Sequence, residues 1–424
     1  MPPADSPAAQ PVTTSEVAEP TGPAAEPLLS PREGTPEPVT DRNRLAEAAA
    51  ALAAGTGPVA VDAERASGYR YGQKAYLVQL RRRGAGSFLI DPLGVDDLAP
   101  VGDAIADAEW VLHAASQDLP CLREVGMVPK TIFDTELAGR LLGLPRVGLG
   151  PMVEEILGFR LEKGHSAADW STRPLPEPWL RYAALDVELL VELRDVLEER
   201  LVADGKMEWA RAEFAAVLAA PAPPPRTDPW RRTSGMHRVR TRRQLAAVRE
   251  LWQARDRVAR SRDIAPGRIL PDSAIVAAAV ESPATEADLV QLPVFGGRST
   301  RRSAAMWFAA LVTSRALPDA ALPDLRVPHD GPPPARSWGE RNPEAAERLT
   351  ATRGAVAAIA DEHALPTENL LAPDIVRRLA WSPPEPADRD AIVEVLVTAG
   401  ARPWQVELTA TALAKALERI TARA

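Results

Sequence analysis

A chain of 424 residues exceeds what one hydrophobic core organises, so two or three domains are expected. Its composition, 46% hydrophobic and 25% charged, is that of a globular protein, and a net charge of −8 argues against a uniformly basic glove for nucleic acid. A single cysteine, Cys121, excludes an intramolecular disulfide and any cysteine-based zinc site, which fits a reducing cytoplasm.

Residues 1–40 carry ten prolines, six acids and one base, Arg32, and are expected to form a disordered acidic tail. The tail lacks the basic and apolar regions of a secretory leader. No run of about 18 uncharged apolar residues occurs, so neither a leader nor a membrane span is expected. Residues 41–219 read as one α/β domain. A helix over 41–54 leads into the apolar run 58–61, and 75–80 and 87–90 read as strands. A helix near 96–108 and a strand at 110–113 follow, after which the pattern is mostly helical. Three close strands before the first long helix predict an antiparallel meander, with the later strand added by a crossover.

Proline-rich composition marks linkers at 220–234 and 318–339. They separate helical modules at 235–317 and 340–424, whose similar order of features suggests a diverged duplication. Linkers of this kind predict that the modules move independently. Residues 226–270 hold thirteen arginines against four acids, a local excess of nine positive charges. That excess reads as a phosphate-binding surface, because it is local whereas the preference for arginine (45 Arg, 5 Lys) is global.

Four carboxylates in three short motifs carry the chemistry. Asp62 and Glu64 end an apolar run two residues apart, and on a strand such residues share a face. Tyr182 and Asp186 are four apart in a helical pattern and also share a face. Asp118 lies between them in the run His113-Ala-Ala-Ser-Gln-Asp118. Taken singly, each has a bland reading: a strand-ending turn, a helix cap or a solvated pair. Together they can hold a pair of divalent cations.

These three motifs resemble the exonuclease motifs of the DEDD superfamily, in the subgroup with tyrosine in the third motif. The runs Phe133-Asp-Thr-Glu-Leu-Ala-Gly-Arg and Leu161-Glu-Lys-Gly-His-Ser-Ala-Ala-Asp-Trp-Ser-Thr-Arg-Pro-Leu extend the likeness, which covers most of 55–205, to the ribonuclease D family. Residues 235–317 resemble the HRDC domain, and 340–424 resemble a second, diverged one. The resemblance implies an α/β, ribonuclease H-like mixed-sheet exonuclease domain followed by two all-α HRDC-like domains. It implies 3′→5′ hydrolysis of RNA by two Mg²⁺ or Mn²⁺ ions held by Asp62, Glu64, Asp118 and Asp186, with Asp62 bridging. Two such ions about 3.5–4 Å apart supply a nucleophile and relieve charge on the phosphorus and the leaving oxygen. Tyr182 would orient the attacking water. The products would be nucleoside 5′-monophosphates, the substrates RNA 3′ ends such as tRNA precursors, and the location cytoplasmic.

A rival third motif, His165 with Asp169, has three intervening residues where the histidine subgroup needs four. His113 reads equally well as a buried structural residue. Lys163, Asp169 and Trp170 match a family run in which a lysine and an indole can contact phosphate and base, although Trp170 reads equally as packing. Two alternatives stay open: a DNA exonuclease in repair, since HRDC modules also occur in DNA helicases, and a non-catalytic RNA-binding scaffold.

Overall fold

Alternate residues of 56–65 divide between two cores. Val59, Val61 and Ala63 pack into one, and Ala60 into another on the opposite face, as the two-residue period of a strand requires. The computed structural model describes residues 25–95, 97–162, 164–295, 297–326 and 331–421. Within them lie strands β1 (Glu26–Leu28), β2 (Pro38–Val39), β3 (Thr56–Arg65), β4 (Ala75–Arg83), β5 (Gly86–Ile90), β6 (Glu109–Leu112), β7 (Thr131–Asp134) and β8 (Phe159–Leu161). Six of these form a mixed sheet in the order β2-β5-β4-β3-β6-β7. The β3-β4-β5 meander is antiparallel, and β6 and β7 add in parallel beside β3. The expected meander and crossover are therefore present.

Helices α1 (Arg42–Ala54), α2 (Ala99–Ala104), α3 (Leu119–Glu124), α4 (Thr135–Leu141) and α5 (Leu149–Leu157) surround the sheet together with α6 (Glu177–Glu188), α7 (Leu190–Ala203) and α8 (Met207–Ala219). Asp41 caps α1 by accepting from Asn43 N and Arg44 N, both at 2.9 Å. Helix α6 buries Ala183, Ala184 and Val187 toward the sheet, and this leaves Tyr182 and Asp186 on its flank.

The expected disordered tail needs correction. Part of the acidic tail is built into the fold: β1 pairs with β8, β2 pairs with β5, and Arg32 N donates to the Glu188 carboxylate at 3.2 Å. Composition measures only what a segment can bury by itself, and a neighbouring sheet edge supplies these backbone partners. Residues 1–24 lie outside the described residues. The region after 113 is mostly helical, as expected, and adds two short strands, β7 and β8, which at four and three residues are too short to show a period.

The first helical module comprises α9 (Arg242–Arg262), α10 (Pro266–Ile269), α11 (Asp272–Glu281), α12 (Glu286–Gln291), α13 (Arg298–Arg302) and α14 (Ala304–Ala316). The second comprises α15 (Trp338–Arg341), α16 (Pro343–Glu362), α17 (Thr367–Leu370), α18 (Pro373–Trp381), α19 (Arg389–Thr398) and α20 (Pro403–Thr421). In each, a long helix, a four-residue helix and a shorter helix follow in order. Trp230 and Trp338, both in stretches read as linkers, are 3% and 0% exposed and belong to cores.

Both modules dock on the sheet domain through the corner after their long helix. Asp263 accepts from Tyr71 N and Gly72 N, Ala265 N donates to Tyr69 O, and Tyr71 Oη donates to Asp256 at 2.9 Å. In the second module, Lys206 Nζ donates to His363 O at 2.7 Å, and Gly143 packs so closely on Ala364 O that no side chain fits there. Trp209 stacks on Trp404 at 4.9 Å. One continuous apolar core joins the sheet domain and the second module, against the expectation of independent movement. A linker's composition sets its own stiffness and says nothing of whether the faces it joins bury one another. Among the described residues, no helix is long and apolar enough to cross a membrane.

Candidate active site

Asp62 and Glu64 emerge from β3 on the face covered by α6, opposite the Val61 and Ala63 side. Asp186 descends from α6, and Tyr182 lies one turn earlier on the same flank, close enough to influence its carboxylate. One carboxylate oxygen from each of Asp62, Glu64 and Asp186 lies within 4.8 Å of the others. Asp118 occupies the N-cap position of α3 but makes no capping hydrogen bond, so the bland reading of this residue does not hold. Its carboxylate meets Arg65 Nη2 at 3.6 Å. These five residues of the three motifs line one cleft of about 480 Å³.

Asp134 positions the second motif. Its carboxylate accepts from Ala114 N at 3.1 Å and Ala115 N at 2.8 Å, and it also caps α4. These bonds hold the turn at Ala114, whose φ of 60° is uncommon for a residue with a side chain. His113 Nδ1 lies 2.9 Å from Thr135 Oγ1, and burial lowers its pKa to about 4, which keeps it neutral. The contact ties the ring to α4, and His113 also lines the cleft.

Trp170 and Arg173, in the run before the third motif, pack into the sheet domain. Trp170 is 0% exposed. Arg173 clamps the segment to the sheet with a bidentate pair to Asp91 (2.6 and 2.7 Å) and with bonds to the carbonyls of Trp170 and Tyr76. Asp169 accepts from Ser171. The His165 ring stands edge-on to Tyr182 at 5.9 Å, so it neighbours the tyrosine and does not replace it. Lys163 lies outside the described residues.

A protein-family model described as a 3′-5′ exonuclease matches residues 36–202. One described as the HRDC domain matches 244–311, and one described as a 3′ to 5′ exonuclease C-terminal domain matches 331–417. The ribonuclease D of Granulibacter bethesdensis is 34% identical over 301 residues, covering 69% of this chain and 73% of that protein. The chain belongs to the ribonuclease D family. Escherichia coli RNase D, whose crystal structure is described as that of an exoribonuclease involved in structured RNA processing, is similar with a TM-score of 0.65. It is 26% identical, and the match covers 90% of this chain and 98% of that one. A Bifidobacterium adolescentis protein is similar with a TM-score of 0.87 and 40% identity, over 93% of this chain and all of that one.

As a member of the ribonuclease D family, the protein is a metal-dependent 3′-5′ exonuclease. The donor set fits that dependence: clustered carboxylate oxygens suit a hard divalent cation. Burial, then the charges of Asp62 and Asp186, raise the Glu64 pKa well above the usual range. Burial and then Asp62 push Asp118 up to about 8. Burial and then Asp62 raise Asp186 as well. A cation held by these carboxylates would relieve that repulsion.

A dependence of stability on pH follows. Between about pH 4 and pH 8 the folded protein keeps a proton on Asp118 that the unfolded chain has released, so stability falls as pH rises. His113 acts in the opposite sense below about pH 6.5, so the clean window is 6.5 to 8.5. In chelator, the melting temperature should drop across this window. Added Mg²⁺ should restore more at pH 8.5 than at 6.5. A flat chelator profile would count against the buried acid cluster.

Three residues of the site escaped the sequence reading. Asp134 and Arg65 sat inside or beside quoted motifs, but their partners are visible only across the fold. Gln79 lies directly opposite Asp62 in the β3–β4 register, fully buried, and neither amide atom finds a hydrogen-bond partner among the described residues. No sequence signal marked it.

Proposed function

We propose that this chain trims RNA from the 3′ end, releasing nucleoside 5′-monophosphates, with Asp62, Glu64, Asp118 and Asp186 holding two Mg²⁺ or Mn²⁺ ions. The observation that carries the reading is the convergence of Asp62, Glu64 and Asp186 in one cleft that Tyr182 also lines. Divalent ions at such a site activate water and stabilise charge on the phosphoryl oxygens. Burial and the neighbouring carboxylates raise the Tyr182 pKa, so the phenol stays protonated and orients water through hydrogen bonds instead of acting as a base.

The RNA substrate rests on the ribonuclease D relatives, which favour it over a DNA repair exonuclease. The acid cluster disfavours a non-catalytic scaffold. In the first helical module many arginines hold the fold together: Arg255 with Asp272, Arg243 with Asp319, Arg231 with Asp228. Arg232, Arg238, Arg240, Arg257 and Arg262 are exposed and have no ion-pair partner among the described residues, and they offer a phosphate-binding face. Structured RNAs with 3′ extensions, tRNA precursors among them, are the substrates this arrangement suits, in the cytoplasm.

Matched RNA and DNA duplexes with 3′ overhangs test the reading. Mononucleotide release with Mg²⁺ or Mn²⁺ should be faster from RNA. Equal rates, or a preference for DNA, would move the protein to the repair reading.

A further inference from the structure

We infer that Arg65 is a substrate-binding residue: a divalent cation at Asp118 displaces it, and it then grips a backbone phosphate of the RNA in the pocket beside the cleft. This rests on the exoribonuclease reading.

Structural arginines of this fold anchor themselves through short hydrogen bonds to carboxylates and backbone carbonyls. Arg173 bonds Asp91 and three carbonyls, and Arg255 bonds Asp272 and Leu270 O. Arg65 differs. Its side chain is 27% exposed, its one ion pair, to Asp118, is 3.6 Å long, and its guanidinium makes no hydrogen bond among the described residues. Five donors on a planar fork are therefore free for a better acceptor.

Two cavities meet at Arg65. One is the acid-lined cleft. The other, of about 310 Å³, is lined by Ala63, Glu64, Arg65, Ser67, Gly68, Ala167 and Ala168. Its wall after β3 is held by the first helical module: Arg268 donates to Gly68 O at 2.8 Å and lies over the Tyr69 ring at 3.9 Å. The pocket is thus preformed, and Arg65 is the cation on its lining. A guanidinium and a metal ion on the same carboxylate repel, so metal binding favours turning Arg65 toward the pocket. An RNA strand entering a cleft of four acids needs a positive partner for its phosphates, and a guanidinium matches phosphate with two parallel hydrogen bonds.

The test uses wild-type protein, Arg65→Gln and Arg65→Lys. Calorimetric titration with Mn²⁺, without RNA, should show about tenfold tighter binding in Arg65→Gln, where the competing charge is gone, and near wild-type binding in Arg65→Lys. Hydrolysis is then compared for a short oligoribonucleotide and for the p-nitrophenyl ester of a nucleoside 5′-monophosphate, which has a cleavable diester but no second phosphate. In both variants the ratio of oligonucleotide KM to ester KM should rise about tenfold. Either an unchanged Mn²⁺ affinity in Arg65→Gln or an unchanged KM ratio overturns the assignment. Wild-type protein that releases no nucleotide overturns the exoribonuclease reading instead, and the Mn²⁺ titration still decides whether Arg65 competes with metal.

Discussion

Asp62→Asn is expected to lower kcat on a 3′-tailed RNA by on the order of 10³-fold, because removing one metal ligand forfeits several kcal/mol of transition-state stabilisation. The amide is nearly isosteric, so the loss should come without unfolding. Asp62 is the choice because its charge raises Glu64, Asp118 and Asp186 alike, which places it at the electrostatic centre of the cluster. A second readout follows from the same fact. Neutralising Asp62 removes the charge that the other acids oppose, so the variant in chelator should melt at or above the wild-type temperature while its response to Mn²⁺ shrinks. Unchanged nucleotide release from Asp62→Asn would show that the active site lies elsewhere.

Trp404→Ala should destabilise the protein by about 3–5 kcal/mol, the range for truncating a large buried aromatic residue. Trp404 is 6% exposed, stacks on Trp209 with an interplanar angle of 14°, and donates to Glu213 at 3.1 Å, where Arg402 also pairs at 3.3 Å. The substitution therefore strikes the joint between the sheet domain and the second module. Wild-type protein should unfold these two parts in one denaturant transition, since they share a core. The variant should separate the transition into two, and small-angle scattering should show it expanding. A variant within about 1 kcal/mol of wild type, still unfolding in one step, would mean that the joint contributes little and that the proline-rich linkers do leave the module free.

How much of this was legible beforehand depends on the distance over which each cause acts. The β3-β4-β5 meander could be read because apolar alternation and turn residues are local. Short strands such as β7 and β8 could not, since three or four residues carry no period. Asp134 appeared in the sequence only as part of a familiar run. That its carboxylate holds the backbone of Ala114 and Ala115 is a contact across some twenty residues. Trp170 was open to two readings, base contact or packing, and burial at 0% exposure decided for packing.

The sequence by itself determined which side chains share a face. Asp62 with Glu64 and Tyr182 with Asp186 follow from the periods of strand and helix, which are properties of the backbone. It also determined the reaction class, because the three motifs resemble one family in order and spacing. Only the tertiary structure decided that Asp118 faces Arg65, that residues 25–40 add strands to the sheet domain, and that both helical modules dock on it by the same corner. Those outcomes turn on which surfaces meet after the chain closes loops of tens to hundreds of residues, and no local pattern encodes the partner across such a gap.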